Sequence, residues 1–272
     1  MRTSPGNATG HSTTSQALLD AAGRTASLLT TVGDPARVAR PTTWTIAETA
    51  AHLVADLDTH ADLAESGRVP QLGDGSAARR GRRANAGQLG DFTQRDLATL
   101  AGQMVPAAAR AVSVIESRPA GQLIPSSNAL MWTPEQTLAL LLGEQLIHGH
   151  DIASAAGVPW PISRSDALLV ADGAVRVLPD YLRPTGNPGR AMSFELRLRG
   201  GSRYRMEITG DTATMTPPGP RADCVITADP VAFLLVGYGR ANPLSAAARG
   251  RIIAGGRKPW LGLAFGRLFE SP

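Results

Sequence analysis

The chain has 272 residues, 43% hydrophobic and 18% charged, which is long enough to bury a sizeable core and reads as two globular domains rather than a fibrous or disordered chain. The net charge of +4 is carried almost wholly by scattered arginines, Lys258 being the only lysine among 27 basic residues, so the sequence argues against a nucleic-acid partner. The single cysteine, Cys224, excludes an intramolecular disulfide and fits a reducing cytoplasm, and no signal peptide, membrane span or membrane partner is expected.

Residues 1–14, rich in Ser, Thr and Gly, are expected to form a disordered tail. The spacing of Leu18, Leu19, Ala22, Ala26 and Leu29 predicts a first helix over 15–32, broken by Asp34-Pro35. A second helix opens at Trp44-Thr45 and runs to about residue 65; Thr45 and Glu48 have the spacing of a capping box, which makes Glu48 a cap rather than a ligand. Inside it, His52 sits beside Leu53, and His60 lies about 80° further round the helix. Residues 67–90, with Arg79, Arg80, Arg82 and Arg83, read as a solvated loop or as a basic lid over an acidic ligand. A third helix is expected over 91–116.

The fourth helix, 133–156, has the strongest signals: Thr133 as cap, Pro134 at the first helical position, Gln136 completing a capping box, and Gly157 with Pro159 as the stop. Glu144 and His148 are four residues apart on it, with Asp151 three further along the same stripe. Leu140 and Leu141 fall within about 60° of Glu144, so a carboxylate and an imidazole point into the apolar side of the helix. Buried polar groups need partners. By itself the pair is more readily a satisfied core histidine beside a solvated glutamate; with a third donor from another helix it is half of a metal site.

Four helices joined by loops predict an antiparallel four-helix bundle over residues 15–182. If the second and fourth helices face each other, His52, Glu144 and His148 converge as a His₂Glu set with one open coordination position, the arrangement of a catalytic rather than a structural metal. A short helix over 165–178 carries the chain out of the bundle, and 180–190, rich in Pro and Gly, reads as a linker. The period then changes to two. Strands are expected over 192–198, 204–208, 212–216 and 224–227, followed by a short helix from Asp229-Pro230, a last strand at 251–254 and a closing helix at 260–269. Residues 189–272 thus form a small α+β domain.

Trp44 followed eight residues later by His52, and far downstream Glu-x-x-x-His-Gly-x-Asp at 144–151, together resemble the mycothiol-dependent maleylpyruvate isomerase family, with its DinB-like N-terminal bundle. The stretch GEQLIHGHDIASAAGVPWPI carries that likeness, and ADCVITADPVAFLLVGYGR with the following GRIIAGG is similar to the sterol-carrier-protein-like domain attached to such enzymes. The resemblance implies that His52, Glu144 and His148 hold a divalent metal, zinc being the expected ion. Asp151 matches the family's following acidic position and is the one residue assigned to catalysis, as a partner behind a ligand or a helix-end hydrogen bond. It further implies mycothiol, a low-molecular-weight actinobacterial thiol, as cosubstrate. The metal-activated thiolate would attack a small electrophilic, acidic or polar substrate, either isomerising it by reversible addition to a cis double bond or staying attached in a transfer. Cys224, in a strand of the other domain, is no nucleophile. Arg240, Arg249 and Arg251 read as surface arginines. Three rivals stand beside this reading: a non-catalytic lipid or small-ligand carrier, a thiol-independent metal hydrolase, and a regulatory metal-sensing module, the last disfavoured because the sequence shows no nucleic-acid-binding element. Monomer and dimer are both open.

Overall fold

Local capping chemistry sets the helices that matter most. The structure, a computed structural model, describes residues 6–184, 186–187, 189–217, 219 and 221–270, with the side chains of 6–12 outside the description. Its helices are α1 (Gly6–Leu29), α2 (Ile46–Ser66), α3 (Ala77–Asp91), α4 (Leu97–Glu116), α5 (Pro134–Ala156), α6 (Arg164–Val177), α7 (Pro230–Gly237), α8 (Pro243–Ala248) and α9 (Leu261–Ala264). Both expected capping boxes form: Thr45 with Glu48 opens α2, and Thr133 with Gln136 opens α5, where Pro134 occupies the first turn. Gly67 and Gly157 end these helices in the left-handed conformation that glycine adopts without steric cost.

The chain divides into two compact units, Met1–Ile162 and Ser163–Pro272. In the first, α1, α2, α4 and α5 form a four-helix bundle in which α2 packs against both α4 and α5, and α1 against the same two. Leu18 and Leu29 of α1, Leu53 and Leu57 of α2, Leu100 and Met104 of α4, and Leu138 and Leu141 of α5 are fully buried. Each such side chain contributes about 1.5–3 kcal/mol relative to exposure. Helix α4 is long and apolar enough to cross a membrane by length and composition, contrary to the reading of the sequence. Here it serves as a core helix instead. Its apolar stripe faces the bundle, and Arg110 on its outer side pairs with Asp62 at 2.6 Å and Glu65 at 3.0 Å.

Several sequence expectations are corrected. Residues 6–14, read as a disordered tail, belong to α1, whereas 1–5 lie outside the described residues. The supposed loop 67–90 contains α3, capped by Ser76, whose side chain accepts from the Arg79 amide. Glycines 81, 87 and 90, each costing about 1 kcal/mol against alanine in a helix, hide it from a propensity reading. The following helix starts at Leu97 behind an Asp96 cap, not at 91. A two-stranded hairpin, β1 (Ile124–Pro125) with β2 (Met131–Trp132), precedes α5 and was not foreseen.

The second unit is a five-stranded sheet in the order β5-β4-β3-β6-β7, built from β3 (Ala191–Leu198), β4 (Arg203–Thr209), β5 (Thr212–Thr216), β6 (Cys224–Ala228) and β7 (Ile252–Gly255). All neighbours are antiparallel except β3 and β6. Alternation places Phe194, Leu196, Met206, Ile208, Cys224 and Ile226 in the core. Helix α6, which the sequence reading gave to the bundle's end, falls in this unit: it packs on α7, and the Tyr204 hydroxyl donates to Asp172 on it. The expected linker also belongs here, since Leu182 bridges to Phe269 and the Arg183 amide donates to Leu268 O at 2.8 Å. The closing helix is two short turns, α9 and a 3₁₀ turn at Phe265–Leu268.

Gly149 lies mid-helix on α5 because the Trp160 ring rests on it: a β-carbon there would stand 2.2 Å from the ring. Trp160 is fixed in place by its indole N–H, which donates to Leu146 O at 3.0 Å, and by the Arg24 guanidinium 4.7 Å above its ring. Gly149→Ala is therefore expected to destabilise the protein by about 1–3 kcal/mol through overpacking, despite alanine's better helix propensity. Urea unfolding measures this, and an unchanged or raised midpoint contradicts it.

Candidate metal centre

The pairing of α2 with α5 brings His52, Glu144 and His148 together, as the spacing argument required. One ligand atom from each lies within 4.8 Å of the other two. Glu144 Oε2 is 3.4 Å from His52 Nε2 and 3.2 Å from His148 Nε2, so both imidazoles aim the same nitrogen at one carboxylate. Their other nitrogens are engaged elsewhere. His148 Nδ1 lies 3.0 Å from Asp151 Oδ2, and His52 Nδ1 lies 2.9 Å from Gln88 Oε1 on α3. The two rings meet edge to face at 5.2 Å, and the Trp44 ring covers both, at 4.9 Å from His52 and 5.9 Å from His148.

Burial grades across the site. The side chains of His52 and His148 are 2% and 11% exposed against 31% for Glu144, so the cluster reaches solvent on the carboxylate side. Burial opposes ionisation of Glu144, but hydrogen bonds from His148 and His52 outweigh it and hold the carboxyl well below the usual range. Burial likewise opposes the charge on His148, but the hydrogen bonds to Asp151 and Glu144 and their negative charge push it up to about 9. A carboxylate facing two imidazole Nε2 atoms calls for a positive centre between them, a proton or a cation. Two nitrogens and one oxygen, both rings anchored behind, suit a divalent ion such as zinc.

Asp151, assigned from the sequence to catalysis, is fully buried and bonded to the side of the His148 ring away from Glu144, where it orients the imidazole. His60, left out of the set by its angle, is buried elsewhere on α2 with Asp56 and stacks on Trp132. His150 does not join the cluster. Glu48 is a cap, as expected. Of the four arginines on α3, Arg80 and Arg83 donate to backbone carbonyls of Asn128, Gly75, Gly73 and Asp74. Gln88 was missed because its segment read as a loop. A glutamine in the right register of a glycine-rich stretch carries no signal of its own.

The fold and site describe a helical bundle with a three-donor centre on α2 and α5, followed by an α+β unit. Residues 169–263 match the family described as MDMPI C-terminal domain. Two solved structures share the fold: the mycothiol-dependent maleylpyruvate isomerase and a histidine-to-alanine mutant of it. The first has 12% identity and a TM-score of 0.52, the mutant 11% and 0.53, each over 90% of this chain and 92% of that one. The resemblance read from the sequence is thus borne out by the domain match and the common fold. A sterol carrier protein 2 from Yarrowia lipolytica aligns over 25% of this chain at 19% identity with a TM-score of 0.21, too low to carry the sterol-carrier likeness further. No curated protein sequence matches the chain.

The electrostatics set a pH dependence in chelator-treated protein. His148, raised in the fold, contributes stability that is complete below its unfolded value near 6.5 and is lost as pH rises through about 9. Glu144, depressed in the fold, contributes above its ordinary value and is lost only in acid. The urea midpoint of the chelator-treated chain should fall between pH 6.5 and 9.5, and Glu144→Gln should flatten that fall. Equal slopes in the two proteins contradict the assignment. Separately, Asp151→Ala leaves a buried imidazole N–H unpaired and is expected to cost about 1–3 kcal/mol.

Proposed function

We infer that the chain is a metal-dependent enzyme that uses mycothiol as its thiol cosubstrate and acts on a small electrophilic substrate of acidic or polar character. The observation that carries this reading is the convergence of two anchored Nε2 atoms on one carboxylate oxygen. The domain match and the common fold support the choice of cosubstrate. When bound by His52, Glu144 and His148, a divalent ion, with zinc the best fit to the donors, supplies a Lewis-acid position that holds a cofactor thiol as its thiolate.

The chain's own residues prepare this position in different ways. His52 and His148 present nitrogen donors from a sealed flank, and Glu144 brings a charge that its neighbours keep ionised. Asp151 positions His148 from behind, and Trp44 closes one side of the two rings against water. No side chain of the chain supplies the sulfur. Cys224 is buried in β6, and burial pushes its thiol up, away from the thiolate. Such a lone reduced cysteine suits the cytoplasm, where we place the protein. Isomerisation and thiol transfer share this preparation and differ in whether the thiol leaves free or attached. Maleylpyruvate isomerisation is the specific case we favour first.

Protein purified without chelators should carry about one divalent ion per chain. His52→Ala and Glu144→Ala should lose it together with activity while keeping their helical circular dichroism. Turnover should require mycothiol, and mass spectrometry of the product separates an isomer from a thiol adduct. Turnover without any thiol points to a hydrolase. Metal-free wild-type protein with co-purified lipid points to a carrier. Either result overturns the reading.

A further inference from the structure

Helix α3 is poorly equipped to hold its place. Only Ala77 and Ala78, both in its first turn, are buried. Glycines 81, 87 and 90 weaken it as an isolated helix. Beyond that turn Gly81, Ala84, Asn85 and Gln88 form a half-buried stripe. On that stripe Gln88 alone reaches the metal cluster. Its Oε1 lies 2.9 Å from His52 Nδ1, and its Nε2 donates to Thr59 Oγ1 at 2.9 Å, so one amide spans two turns of α2.

The chemistry of that amide is directional. A glutamine Oε1 only accepts, so the contact places a proton of His52 on Nδ1 and leaves Nε2, the atom that faces Glu144, as the ring nitrogen a cation would take in place of a proton. The Thr59 hydroxyl oxygen accepts from the amide nitrogen and ties the far end of the same amide to α2. Asp151 does the equivalent for His148 from within α5. His52 has no such partner on its own helix, and its outer nitrogen is served from a different element.

We propose that Gln88 is the positioning residue of the metal centre, fixing His52 as an Nε2 donor. This rests on the metal reading above, and its test separates the two. Zinc affinity is measured by competition with a chromogenic chelator for wild type, Gln88→Leu, Gln88→Glu and Thr59→Val. Gln88→Leu keeps the bulk but removes the acceptor, and is expected to bind zinc about 10–100-fold more weakly. Gln88→Glu retains an acceptor and should bind at least as tightly as wild type. Thr59→Val, which loosens the amide without removing it, should fall between wild type and Gln88→Leu. A Gln88→Leu protein that holds zinc as tightly as wild type overturns the proposal while leaving the metal reading intact. Wild type that takes up no zinc overturns both. Should Gln88→Leu fail to fold, the nitrogen-15 spectrum of zinc-loaded wild type decides. The proposal requires a protonated, metal-free Nδ1 on His52, and ligation through Nδ1 refutes it.

Discussion

One carboxylate held between two imidazoles is the constraint around which the bundle's first unit is arranged. Glu144 and His148 meet by helical spacing alone, but His52 reaches them only because α2 packs along α5 with the correct face inward. Sealing two imidazoles and an ionised carboxylate from water costs several kcal/mol unless each polar atom finds a partner. Here nearly every one does. The outer nitrogens go to Asp151 and Gln88, the inner ones to Glu144, and Glu144 keeps an edge in solvent. A cluster of this kind adds little to stability and much to pre-organisation, the balance a cation-binding role would require of these side chains.

The surrounding packing serves that geometry. Trp160 lies against α5 where Gly149 leaves room, one residue after a donor, and ties the chain beyond the helix back onto it through Leu146. Trp44 stands just before the Thr45 cap, so the same capping box that starts α2 also sets an indole over the two imidazoles. The Glu-x-x-x-His-Gly-x-Asp pattern therefore has a physical content at each fixed position: two donors, a space for an indole, and a hydrogen-bond partner for the second donor.

What was legible in the sequence follows from how local the signals are. Caps, helical stripes and strand alternation are short-range, and they placed α2, α5 and the strands of the second unit within a few residues. The convergence of His52, Glu144 and His148 was legible because the i, i+4 spacing on α5 and the facing of α2 and α5 bring them together. Helix α3 was lost because three glycines and four arginines mimic a solvated loop, and its stability comes from tertiary contacts such as Gln88 with His52 and Thr59. With it went Gln88, whose meaning exists only across two helices. The division between units was misread for a similar reason: Arg164–Val177 has an ordinary amphipathic pattern, and only its contact with α7 and Tyr204 reveals where it belongs. At 11–12% identity the solved isomerase structures share this fold, so the architecture tolerates replacement of most of its residues.

The most direct test of the central claim is a crystal structure of the zinc-loaded protein with data collected on both sides of the zinc absorption edge. The account predicts one anomalous peak bonded to the Nε2 atoms of His52 and His148 and to the Glu144 carboxylate, at nitrogen distances of about 2.0–2.1 Å. No peak between these three side chains, or a peak seated on other residues, would contradict it.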